Sequence, residues 1–301
     1  MHGWIILDKP LGLTSAQGVA AIKRLLKPPR GVKVGHGGTL DPLATGVLPI
    51  ALGEATKLTG RMLNGDKGYR FTVAFGASTA TDDLEGAVVA THPHRPTQAA
   101  VEAVLPLFRG EIEQTPPAYS ALKVDGARAY DLARAGEAVA LAARRVTIHA
   151  LTLEDTTPMD GHLDAATFSV RCSKGTYVRA LARDLALALG TLGHVTHLRR
   201  TLAGPFTLDH AIELDKLREL VQTRPSAELI APLTTALDDI PALAVTPEQA
   251  AMLRRGQRLV GFPVAPGSYV AIEAKVPVAL VEAVAMPDGR ATVSVTRGFN
   301  L

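Results

Sequence analysis

The chain has 301 residues, of which 47% are hydrophobic and 20% charged, with a net charge of +3. That length allows one large domain or two smaller ones, and so apolar a composition excludes a disordered chain. One cysteine, Cys172, excludes an internal disulfide framework, and no apolar run reaches the roughly 18–20 residues of a membrane span.

The N-terminus, MHGWIILDKP, has no charged leader region and only a four-residue apolar run, so no signal peptide is expected. Trp4 to Leu7 read as a short strand, followed by a turn through Pro10 and Gly12. Thr14 with Gln17 forms a capping-box start. Ala16, Val19, Ile22 and Leu26 then mark one helical face up to Pro28. The stretch PPRGVKVGHGGTLDPLATG reads as loop, and VLPIAL as a short buried strand or turn. In YRFTVAFG, Tyr69, Phe71, Val73 and Phe75 alternate, the mark of a strand. TATDDLEG is a turn between that strand and AVVAT, which predicts a hairpin. Residues 97–108 read as a helix with Val101, Val104, Leu105 and Phe108 inward.

Pro116 and Pro117 forbid regular pairing, and a loop followed by a helix is expected up to Gly136. RVTIHALTLEDT and LDAATFSVRCS are strands, and KGTYVRALARDLALALG turns into a helix with Val178, Leu181, Ala182, Leu185 and Leu189 as its stripe. This order of hairpins and helices predicts an α+β fold with a mixed, largely antiparallel sheet. After Leu233 come a linker, a capped helix starting near Thr246, and short strands broken by Pro and Gly. That tail reads as a small β-rich module.

The charges are segregated. No acid occurs from Lys9 to Leu40, from Ala165 to Arg183, or from Val195 to Leu208, and these tracts carry most of the clustered Lys and Arg. One positive face suits a polyanion. Metal and nucleotide motifs fail. GHGGTL lacks the third glycine of a dinucleotide loop, no P-loop is present, and His194 and His197 stand without HExxH or a cysteine pair. Asp82, Asp83 and Glu85 are explained by turn chemistry, and Cys172 by burial on a strand. No metal or cofactor is expected.

Three segments remain: the Asp41 loop, the strand start at Tyr69, and CSKGTYVRALARDL. In the last, a strand gives way to a helix N-terminus where Tyr177 and Arg179 suit an anion, or where Arg179 holds a carboxylate from elsewhere.

Together LDKPLGLTS, GHGGTLDPLATGVLPIALGEATK, KGYRF, QTPPAYSALKVDGARAY and CSKGTYVRALARDLA with LGHVTHLRR resemble the TruB-type pseudouridine synthases, from residue 4 to about 210 and in the family's order. The tail after residue 245 resembles that family's PUA-type RNA-binding domain. The resemblance implies a catalytic domain over 1–232 and a PUA-like domain over 245–301. It also implies isomerisation of uridine-55 in the T-loop of tRNA by a stand-alone bacterial enzyme, a cytoplasmic monomer with no membrane and no obligate protein partner. The alternative is an RNA-binding protein or tRNA-folding chaperone without catalysis. By resemblance Asp41 is the essential aspartate, nucleophilic or acid–base in role. Tyr69 stacks on the base, Tyr177 and Leu198 shape the pocket, Arg179 pairs with Asp41, and His36 touches the flipped-out nucleotide's surroundings. Lys9 supports the loop or a phosphate. Residues 114–136 resemble a thumb loop, poorly ordered without RNA, whose Tyr119, Lys123 and Arg128 clamp the stem-loop.

Overall fold

The computed structural model describes residues 1–120, 122–124, 127–135 and 141–301. Among these, two sheets dominate an α+β architecture. The larger has ten strands, eight of them in one path: Ile212–Glu213, Gly3–Lys9, Ala44–Leu52, Gly193–Ala203, Lys67–Phe75, His162–Cys172, Arg144–Met159 and Gly110–Gln114. Two contacts are parallel, Gly3–Lys9 with Ile212–Glu213 and Ala44–Leu52 with Gly193–Ala203; the other pairings in this sheet are antiparallel.

The strand period decides which face each residue meets. Ile5, Leu7, Leu48, Ile50, Phe71, Val73, Phe168 and Val170 point to one face, where helices Ser15–Leu26, Gln98–Val104, Val178–Ala188 and Leu214–Thr223 cover them. Phe71 and Phe168 stack there, with ring centroids 5.4 Å apart. Trp4, Ile6, Val47 and Ala51 point the other way, onto Leu58, Met62, Leu233, Leu237, Val270 and Phe299. The chain end is therefore part of a core that also holds the first strand. Lys57 Nζ donates to Gly298 O at 2.8 Å, Asn300 N donates to Glu54 Oε2 at 2.9 Å, and Arg61 Nη2 lies 2.7 Å from both oxygens of Asp239. The second sheet has five strands, from Ala242–Ala244 to Ala291–Gly298, and carries the helix Pro247–Arg254 behind a Thr246 capping box.

Several elements differ from the sequence reading. The capping box at Thr14 forms, with Gln17 N donating to Thr14 Oγ1 at 3.1 Å and Thr14 N to Gln17 Oε1 at 2.8 Å. The buried stripe behind it is Ser15, Gly18, Ile22 and Leu26, whereas Ala16 is exposed. The stripe is shifted because Gly18 packs closest: a Cβ there would meet Leu48 Cδ2 at 3.2 Å and Leu7 Cδ2 at 3.3 Å. The expected loop contains a strand, Val34–His36, paired with Ala44–Leu52. The hairpin joins Val88–Thr91 to a separate short strand, Ala77–Thr79, because the chain breaks at Gly76, where φ is +92°.

Candidate active site

Asp41 sits in the tight connection between Val34–His36 and Ala44–Leu52. Its neighbour Leu40 turns into the core at 4% exposure, so Leu40 anchors the loop and does not wall off the carboxylate, which stays 39% exposed. The loop's glycines answer mainly to protein. A Cβ on Gly37 would lie 2.7 Å from Met62 Cβ, and one on Gly46, with φ +97°, would lie 2.2 Å from Arg200 O. Close approach to the chain itself, rather than to a bound partner, explains these two positions.

Arg179, on the first turn of Val178–Ala188, turns inward. Its Nε lies 3.0 Å from Asp41 Oδ2 and 3.6 Å from Asp83 Oδ2, ionic contacts in which the Nε–H does not meet hydrogen-bond geometry. Its Nη1 donates to Thr81 O at 2.9 Å and its Nη2 to Tyr119 O at 3.0 Å. Of the two roles open to this arginine, the second therefore holds: it grips carboxylates, and the helix N-terminus is not free for an anion. Tyr177 N already donates to Gln114 Oε1 at 2.8 Å, and Gln114 Nε2 returns a bond to Tyr177 O at 3.1 Å. The Tyr177 ring lies under Arg144, 4.8 Å from the guanidinium carbon.

A cleft lies over the carboxylate, lined by Asp41, Leu43, Asp83, Arg179, His197 and Leu198 among others. The structure thus brings together three of the expected residues, Asp41, Arg179 and Leu198. Tyr69, His36 and Tyr177 do not line that cleft. Tyr69 is half-buried at the edge of the core, cross-strand from Arg200, and burial pushes its phenol up while Arg200 opposes the shift. His36 pairs with Ile50, and its buried Nδ1 has no hydrogen-bond partner among the described residues; burial and then Arg200 hold its imidazole below the usual range. Tyr119 meets Tyr130 edge-on at 5.9 Å. The side chains of Lys123 and Arg128, and residues 121, 125–126 and 136 of the expected thumb loop, lie outside the described residues.

Lys9 is fully buried, so it faces no phosphate. Its Nζ donates to Leu13 O at 2.6 Å, Pro10 O at 3.1 Å and Pro42 O at 3.2 Å. Burial lowers its pKa to about 8, with Asp41 opposing. Lys67, buried too, caps the carbonyls of Met62, Leu63 and Gly65, and burial likewise lowers it to about 8.

The acidic turn is more than a solvated hairpin. Asp83 is 5% exposed, accepts from Thr81 Oγ1 and from Glu85 N, and faces Arg179. Asp82 takes Arg183 at 3.1 Å, and burial raises its pKa against that arginine. Asp83, Ser15 and Arg200 are the site residues that sequence reasoning missed. Asp83 carries only the signal of a turn acid, and its contact with Arg179 is set by the fold; Ser15 and Arg200 act through backbone carbonyls, which leave no sequence pattern. Cys172 is buried, and burial lifts its thiol to about 11, as a structural cysteine requires. Among the described residues, no group of three or more His, Cys, Asp or Glu is placed to hold a metal, and no helix is long and apolar enough to cross a membrane.

Comparison with known proteins finds a family and several relatives. The model of the TruB family pseudouridylate synthase N-terminal domain matches residues 23–178, and that of the tRNA pseudouridylate synthase B C-terminal domain matches 179–238. The chain is 60% identical over 303 residues to a tRNA pseudouridine synthase B of Novosphingobium aromaticivorans, covering 100% of this chain and 98% of that protein. It is 55% identical over 303 residues to the one of Zymomonas mobilis, covering 100% and 96%. Among solved structures, a Cbf5–Nop10–Gar1 complex is similar with a TM-score of 0.73 and 28% identity, over 99% of this chain and 85% of that one. A chain of an H/ACA RNP bound to a substrate RNA containing 2'-deoxyuridine is similar at 0.72 and 26%, over 99% and 85%.

Proposed function

The chain belongs to the TruB family of pseudouridylate synthases, and from that premise we propose that it isomerises uridine to pseudouridine in tRNA, at position 55 of the T-loop. The N-glycosidic bond breaks, the base turns within the site, and C5 bonds to C1′. The proton lost from C5 is balanced by one gained at N1, so the reaction needs no oxidant and no second substrate.

Asp41 is the residue we assign to the chemistry. The observation that carries this is its carboxylate, 39% exposed on the cleft and 3.0 Å from a buried arginine. Arg179 holds that carboxylate in one orientation, and partial exposure leaves an oxygen free to act as nucleophile or base. Leu198 supplies an apolar wall beside it. Tyr69 stacks on the base, His36 contacts the RNA around the flipped nucleotide, and Tyr177 borders the pocket. Extruding a nucleotide costs a few kcal/mol, which phosphate contacts from the basic tracts offset. Tyr119, Lys123 and Arg128 contribute from the thumb-like segment, and Lys9 holds the loop. We place the catalytic unit at 1–232 and a PUA-like RNA-binding unit at 245–301. The protein acts in the cytoplasm as a monomer that needs no partner protein.

The test uses an unmodified tRNA transcript labelled at uridine C5. Release of the C5 proton, with chemical probing that maps one product position in the T-loop, supports the assignment. Proton release from another position contradicts the site, and no release contradicts the activity.

A further inference from the structure

The catalytic loop has a property that its sequence hides. Every backbone carbonyl from Gly38 to Pro42 has a partner. Arg200 Nη2 donates to Gly38 O at 3.2 Å and Arg200 Nη1 to Thr39 O at 3.1 Å. Ser15 Oγ donates to Leu40 O at 3.1 Å and also accepts from Leu40 N at 2.8 Å. Ala44 N donates to Asp41 O at 3.0 Å, and Pro42 O takes Gly12 N at 2.9 Å as well as Lys9. A connection of this kind ordinarily leaves such groups to water. Here buried side chains hold four of the five, and a backbone N–H holds the Asp41 carbonyl.

Two of those side chains stand outside the set that the resemblance assigns to substrate or chemistry. Arg200 is 1% exposed and forms no ion pair among the described residues. A guanidinium is costly to bury without a carboxylate, and it is retained only where its donors are satisfied. Its Nε donates to Val47 O at 2.7 Å, in the strand that follows the loop, and its residue is cross-strand from Tyr69. One planar group therefore ties the start of the loop, the strand after it and the Tyr69 position together. Ser15 is 3% exposed and stands on the first turn of Ser15–Leu26, so the helix fixes its hydroxyl.

We propose that Arg200 and Ser15 are positioning residues that hold the Gly38–Pro42 backbone so that the Asp41 carboxylate meets Arg179 in one reactive geometry. This rests on the assignment of Asp41 above. A displacement of about 1 Å at a reacting group costs on the order of 100-fold in rate, while substrate binding spread over a large RNA surface is little affected.

The experiment measures the single-turnover rate of C5-proton release, the tRNA dissociation constant and amide exchange across residues 38–41, all well below each variant's melting temperature. Ser15→Ala is expected to slow release roughly 10- to 100-fold, leave tRNA affinity within about threefold, and speed exchange at Leu40 and Asp41. Arg200→Lys keeps the charge but cannot reach two loop carbonyls and Val47 at once, and the same split is expected. Thr167→Val is the control. It removes the Thr72–Thr167 hydroxyl contact of 2.8 Å and is expected to lower stability with no change in rate or loop exchange. If Ser15→Ala loses stability yet keeps the wild-type rate and loop protection, as the control does, the proposal is overturned. Should Arg200→Lys fail to fold, Ser15→Ala alone decides. A wild-type protein that releases no C5 proton would sink the functional reading instead, and the exchange data would still judge the clamp.

Discussion

Replacing Arg179 by Met separates stability from chemistry at this site. The guanidinium donates to Thr81 O at 2.9 Å and to Tyr119 O at 3.0 Å, and it faces Asp41 and Asp83. Charge-assisted bonds of this kind contribute about 1.5–3 kcal/mol each, and breaking a buried ion pair costs about 3–5 kcal/mol. These terms overlap, because much of the cost is the stranded acid. Asp83, with only 7% of its side chain exposed, is that acid; Asp41 at 39% can turn to water. The expected destabilisation is therefore about 3–5 kcal/mol in total, or roughly 5–8 °C in melting temperature for a chain of this size. The double variant Arg179→Met/Asp83→Asn removes the stranded charge and is expected to regain at least half of that stability. Its rate of C5-proton release stays as low as that of the single variant, since Asp41 still lacks its orienting partner. Thermal unfolding and single-turnover assays read both quantities. Recovery of the rate along with the stability would refute the argument, as would a double variant no more stable than the single one.

Lys9 provides a pH test. Its folded pKa is about 8 and its unfolded value about 10.5, so the unfolded chain binds more protons between those limits and stability rises with pH across them. At about 1.36 kcal/mol per pH unit, the Lys9 contribution is at most about 3.4 kcal/mol; Lys67, lowered alike, adds its own, so denaturant titrations should find the rise smaller by the Lys9 share, not absent, in Lys9→Met. The tract Lys23, Arg24, Lys27, Arg30 and Lys33 is exposed, and none of the five forms an ion pair among the described residues. Changing all five to Gln should weaken tRNA binding and lower the salt slope of affinity by about 0.9 for each phosphate no longer neutralised, with the single-turnover rate at saturation unchanged. An unchanged slope would remove this surface from the RNA interface.

Periodicity makes the framework legible. Tyr69, Phe71, Val73 and Phe75 alternate because one face of their strand is core, and the Thr14 and Thr246 boxes mark two helix starts because their hydroxyls are the caps. Pairings between distant strands are not legible, since register depends on partners that local sequence does not name. The parallel contact of Ala44–Leu52 with Gly193–Ala203, which puts Leu198 opposite Ala44 beside the Asp41 loop, is of that kind. Asp41 and Arg179 are reachable through the resemblance and the glycine-rich context. Asp83 reads as a turn acid because its turn is real; only the fold shows that the turn presses it against Arg179. Ser15 and Arg200 bond to main-chain carbonyls, which every sequence has, so no residue type marks their partners.

The most direct measurement compares wild-type protein with Asp41→Asn on tRNA labelled at uridine C5, at enzyme concentrations that saturate the RNA. The two side chains are nearly the same size, so folding and tRNA affinity should match. The account predicts stoichiometric proton release at one T-loop position by the wild type and none by the variant. Release by Asp41→Asn at a comparable rate would contradict it and move the chemistry to another group.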